Sequence, residues 1–193
     1  MLKLPETETA NSQNWLSLTL LFIKWNSPGS DLEPGLLQRL EQLHQAQKIV
    51  VGPFGVRRTG GFHRLTGKIH LNSDRMGFLK RDFQKQLVSL DSDARKQHIR
   101  DQHARAVLEL SGVLVHEGAH ALRLAWRLKT DETIAFTNEQ RWYAHLYSLT
   151  SDYKSTLEKL AHNAEYDAAE SPVYRSLGLR VASVIPSRNK EIT

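Results

Sequence analysis

The chain has 193 residues, a formal net charge of +5 and a pI near 9.5, with 24% of its residues charged and no cysteine. A chain of this length buries roughly two thirds of its unfolded surface without a covalent staple. The missing thiols exclude disulfides, cysteine-ligated zinc or iron–sulfur clusters and cysteine nucleophiles, so a transition-metal site must draw on His, Asp or Glu.

The basic balance favours acidic partners, but the arginines and lysines are dispersed, with only short pairs at Arg57 with Arg58 and Lys80 with Arg81. No nucleic-acid partner is expected from such a distribution. Residues 1–14 are polar and are expected to form a flexible start to a single domain spanning 1–193. The most apolar run, 15–25 (WLSLTLLFIKW), is too short to cross a hydrocarbon layer that needs about 20 residues. Glu6 and Glu8 before it, and no small-residue cleavage site directly after it, make it a poor signal peptide. A cytoplasmic location at synthesis is expected, with any export requiring a specialised route. The run reads as a buried helix capped by Ser12, or as a strand with Trp15, Ser17, Thr19, Leu21, Ile23 and Trp25 on one face; its periodicity does not choose.

Residues 26–30 (NSPGS) form a turn cluster, and Ser30 or Asp31 is a candidate cap for a helix reaching about Gln47. Pro34 suits an early helical position, although Gly35 leaves the first turn open. Leu36, Leu37, Leu40 and Leu43 make the inward stripe. A short strand is expected at 49–51. Glycines 52, 55, 60 and 61 then match no phosphate-binding pattern. Residues 62–65 and 68–72 flank Thr66 and Gly67 as a hairpin, which would make His63 and His70 cross-strand neighbours and a candidate second metal or substrate contact. A helix is expected within 78–90, with a cap for the next at 91–93. A long, largely buried helix spans about 95–128, broken at 129–132. Thr137 or Asn138 starts another that reaches about Leu149, and a last helix covers about 151–169 before Ser171 and Pro172.

The chemistry is concentrated in His116-Glu117-Gly118-Ala119-His120, an H-E-x-x-H sequence inside the long helix. Four residues advance about one turn, so both imidazoles leave one face and can converge on one Zn2+, while Glu117 stands beside it as general base. Two such rings in an apolar stretch are costly to bury without a partner, and a metal supplies one. Catalytic zinc takes three protein ligands. Glu139, 19 residues after His120 and early in the next helix, is the leading third, with Asp131, Glu132 and His145 as rivals. Tyr143, one turn after Glu139, is a candidate donor to the anionic intermediate, with His145, Tyr147 and His63 as alternatives. Glu109, Asp131 and Asp167 are candidate acceptors for the outer nitrogens of the ligating rings. Gly112 and Gly118 weaken the helix, which suggests close packing there.

This pattern resembles the gluzincin class of zinc metallopeptidases, and in size the compact minigluzincins, over about residues 60–148. The resemblance implies an α+β, zincin-like fold, mainly helical with a small sheet or hairpin beside the H-E-x-x-H helix. It further implies zinc on His116, His120 and Glu139, Glu117 activating water, and peptide-bond hydrolysis. The strand at 68–72 would border the cleft and pair with an extended substrate. Small size and the absence of a long pro-region are similar to bacterial toxin or effector peptidases, while an intracellular regulatory peptidase that cleaves one protein fits equally well; either narrow substrate access or an inhibitory or immunity protein is expected. The alternatives are a metal-independent interaction domain and a zinc hydrolase acting on a non-peptide amide.

Overall fold

In the computed structural model of the chain, the apolar run is helical: α1 (Ser12–Asn26) buries Trp15, Leu16, Thr19, Leu20, Phe22, Ile23 and Asn26, while Leu21 and Trp25 are exposed. Those buried positions follow the 3.6-residue period of a helix face, not the alternation of a strand. The structure describes residues 1–5, 12–53, 59–76, 92–123 and 128–170. The helix expected within 78–90, the pairs Arg57 with Arg58 and Lys80 with Arg81, and the stop at Ser171 and Pro172 lie outside these residues, as do the side chains of Ser12, Asp131 and Asp167. Residues 2 and 3 are hydrogen-bonded to α1 and to residue 149. The Leu2 N–H donates to the Leu149 carbonyl at 3.0 Å, and Lys3 exchanges hydrogen bonds with the Asn26 side chain at 2.9 and 2.8 Å.

The turn before α2 (Leu36–Gln45) explains why neither Ser30 nor Asp31 caps it. The Leu36 N–H donates back to Glu33 at 3.1 Å, and Gly35 holds φ 85°, ψ −7°. This is the left-handed corner that a Pro-Gly pair makes readily. Leu36, Leu40 and Leu43 of α2 are buried, as their spacing predicts.

Three short strands follow, β1 (Ile49–Gly52), β2 (Gly60–His63) and β3 (Lys68–Asn72), in the order β1-β3-β2. β3 pairs in parallel with β1 and antiparallel with β2. It therefore occupies the centre, and the expectation that it offers a free edge to substrate is corrected: both its edges are used. β1 and β2 are the outer strands. The hairpin turn takes four residues, 64–67, because His63 pairs with Lys68. His63 and His70 are consequently diagonal neighbours on one face, their ring centroids 6.5 Å apart.

The 31-residue α3 (Ser92–Leu122) is the axis of the molecule, contacting α1, α2, α4, α5, β2 and β3. It is apolar nearly all round between Ala104 and Ala121 because neighbours cover it on several sides. Each fully buried Leu or Val there contributes roughly 1.5–3 kcal/mol. α4 (Leu128–Leu149) packs beside it through Trp142, whose indole N–H donates to Ser111 Oγ at 2.9 Å, and α5 (Lys154–Glu170) closes against α4. Helix α4 starts at Leu128, so residues 129–132 belong to it and do not break it. Acidic Glu132 suits the positive end of a helix dipole. The glycines of α3 admit side chains, not a backbone: Gly118 receives Leu40 and Gly112 receives the Tyr143 ring. The fold is mainly helical, with a small mixed sheet beside α3.

Candidate metal centre

His116, Glu117 and His120 lie on one side of α3, and the one-turn spacing brings the two imidazoles to 5.0 Å between centroids, edge to face. Phe136 of α4 packs on His116 at 4.4 Å and limits its rotation. The third group comes from the first turns of α4. Glu132 Oε2 stands 3.8 Å from His116 Nε2 and 3.6 Å from His120 Nε2. One ligand atom from each of these three residues lies within 4.8 Å of the others. Tetrahedral zinc with bonds of about 2.0–2.1 Å needs ligand atoms roughly 3.4 Å apart, so small side-chain adjustments close this set on the ion.

Two neutral nitrogens and one carboxylate oxygen from three side chains leave a fourth position open, the donor set of a catalytic zinc. The cluster matches a zincin zinc site of gluzincin type. Together with Glu117 it is the arrangement of an H-E-x-x-H zinc metallopeptidase. No protein-family model, curated protein or solved structure matches the chain. The likeness to a zincin site therefore rests on the ligand cluster itself.

The general-base position has its own signature. Glu117 is buried, and its Oε2 has no hydrogen-bond partner among the described residues. Such an oxygen is costly unless something unseen uses it. Burial pushes the carboxyl above the ordinary carboxylate range, as do Glu132 and Glu139, while His116 and His120 pull it back. Gly60 of β2 lies directly against Glu117: a Cβ on Gly60 would sit 3.3 Å from Glu117 Oε1 and closer still to Val113. β2 is thus the outer strand that touches the catalytic motif.

Glu139 reaches the cluster from a different side than expected. Its Oε2 lies 3.0 Å from His116 Nδ1, the nitrogen turned away from Glu132. The place facing both rings is taken by Glu132. For His116, burial alone would lower the pKa, but the hydrogen bond to Glu139 and the charges of Glu139 and Glu117 raise it overall. Tyr143, one turn after Glu139, is fully buried close to it. Its pKa is well above the usual phenol value because it is buried and because Glu139 and Glu109 are close.

His145 is not brought to the cluster. Its Nε2 lies 2.7 Å from the Asn26 carbonyl, and its ring stacks on Trp142 at 6.1 Å. Six residues past Glu139 amount to a rotation of about 240°, which turns it to another side of α4. Tyr147 donates to Glu158 on α5 at 3.1 Å, and His63 is held by Thr66 at its own turn. Sequence reasoning placed Glu132 among the rivals but read its segment as a break. The usable signal was the seven-residue step from Glu132 to Glu139, which puts both on one face of a continuous helix. Among the described residues no helix is long and apolar enough to cross a membrane.

Proposed function

We propose that the chain is a zinc-dependent endopeptidase in which His116, His120 and Glu132 hold the metal and Glu117 is the general base. The observation that carries this reading is the buried, unpartnered Glu117 Oε2 beside three converging ligand atoms. Zinc bound there supplies Lewis acidity, lowering the pKa of a water molecule and polarising the scissile carbonyl. Glu117 accepts the proton of the attacking water at its free oxygen and returns it to the leaving amine, so the carboxyl ends as it began. His116 and His120, each with one nitrogen toward Glu132, hold the centre; the buried wall of α3 keeps bulk water from the base.

An extended peptide adds to the outer edge of β2, next to Glu117, through backbone hydrogen bonds that ask little of sequence. This role passes to β2 from β3, whose edges are already paired. Edge pairing of this kind suits a protein or peptide substrate better than a small amide. A peptidase with open access would threaten its host, so either narrow substrate access or an inhibitory partner goes with this activity.

The test combines metal content with hydrolysis of an unfolded protein substrate. Wild-type protein should carry one equivalent of zinc. His116→Ala, His120→Ala and Glu132→Gln should lose it, and Glu117→Gln should keep it while losing about 10²–10⁴-fold in turnover. Zinc-free wild type after loading, or a Glu117→Gln variant as active as wild type, would end the proposal.

A further inference from the structure

We infer that Glu139 and Tyr143 are positioning residues that hold the His116 ring from behind, with Gly112 as the gap that lets the tyrosine reach them. The inference rests on the zinc-site reading above. His116 has two ring nitrogens with different surroundings. Nε2 faces Glu132, 3.8 Å away, and Nδ1 lies 3.0 Å from Glu139 Oε2. A carboxylate can only accept, so Nδ1 carries a proton, and in the neutral ring this leaves Nε2 presenting its lone pair. That is the tautomer a metal ligand at Nε2 requires.

Glu139 is itself nearly buried, its side chain 9% exposed, and a buried carboxylate needs more than one donor. The second donor this inference assigns is Tyr143, one turn along the same helix face, whose phenol stands close to Glu139. The ring reaches this position only because α3 has no side chain at 112: a Cβ there would overlap the Tyr143 hydroxyl and ring. Thus Gly112 and His116, one turn apart on α3, are spanned by Tyr143 and Glu139, one turn apart on α4. Each pair fixes the other. Tyr143 lies behind Glu139, on the Nδ1 side of His116, so its action on the reaction passes through Glu139 and the ring instead of through contact with substrate.

Zinc affinity from chelator competition and the absorption spectrum of the cobalt-substituted protein test this in wild type, Glu139→Gln, Tyr143→Phe and the double variant. Glu139→Gln should lose about 10–100-fold in affinity, the usual effect of removing such a partner, with an unchanged cobalt spectrum because the ligand set is intact. Tyr143→Phe should lose less, about 3–10-fold, and the double variant should match Glu139→Gln, since the tyrosine acts through the glutamate. A cobalt spectrum altered in Glu139→Gln would make Glu139 a ligand and overturn the inference. Wild-type affinity in Tyr143→Phe, or an effect in the double variant equal to the sum of the two, would overturn it too. Should Glu139→Gln lose its helical content, Tyr143→Phe, which removes one oxygen, carries the test alone. Failure of wild type to bind zinc sinks the parent reading; wild-type binding with unaffected variants sinks only this one.

Discussion

Glycine at 112 and glycine at 118 cost α3 about 1 kcal/mol each relative to alanine, and the structure gives different reasons for the two. At Gly112 a methyl would meet the buried Tyr143 hydroxyl and ring, which cannot withdraw without leaving Glu139. At Gly118 it would meet the Leu40 side chain with its nearest atom at 3.0 Å, a contact that a shift of a few tenths of an ångström relieves. Gly112→Ala should therefore destabilise by about 1–3 kcal/mol from overpacking, despite the better helix propensity of alanine. Gly118→Ala should fall near neutral. Urea midpoints of the two variants read the difference, and a stabilised Gly112→Ala would contradict the close approach. At this scale His116, Glu117 and His120 were legible because an i, i+4 pair needs only the helix to be geometrically determined. Glu139 was legible as a residue of the site, but which face of His116 it meets depends on the distance between two helices.

The metal ligands come from two elements, His116 and His120 from α3 and Glu132 from the start of α4. Zinc bound there would bridge the two helices, and its removal should loosen that pair first. By mass action, free zinc at 1,000 times the dissociation constant adds about 4 kcal/mol, or about 8–16 °C in Tm for a chain of this size. Calorimetry with chelator and after zinc re-addition measures this directly. An identical Tm in both states would mean that the ion bridges nothing. The start of α4 is also where sequence reading slipped. Residues 129–132 (KTDE) lack apolar periodicity and so look like a break, yet a helix N-terminus tolerates polar, acidic residues because the dipole favours them.

Across the molecule, α3 is the common partner of both flanking helix groups and the sheet, so its packing reports on the whole fold. Near its N-terminal half His103 sits 5.1 Å from the Trp15 ring of α1, and burial lowers its pKa from the ordinary histidine value near 6.5. Above that value the ring is neutral folded and unfolded, and its contribution is intact. As pH falls through 6.5 the unfolded chain takes up a proton that the folded chain still refuses, and stability declines until the lowered folded pKa is passed. Between pH 7.5 and 5.5 the zinc-free wild type should lose stability relative to His103→Gln, a difference that isolates this ring from His116 and Glu117, whose raised pKa values act in the opposite direction. Equal losses in urea unfolding would show that this ring does not couple to folding.

By itself the sequence determined the His116-Glu117-x-x-His120 triplet, the absence of thiol chemistry and most helix spans, because these follow from local spacing and composition; the mainly helical α+β class came with the resemblance. Only the tertiary structure decided that the run at 15–25 is a helix, that β3 is central and β2 touches Glu117, and that Glu132 faces the two rings while Glu139 stands behind one of them. Those choices depend on how far apart α3 and α4 lie and on which strand pairs with which. Contacts between distant residues set them, and no local period encodes a distance between elements.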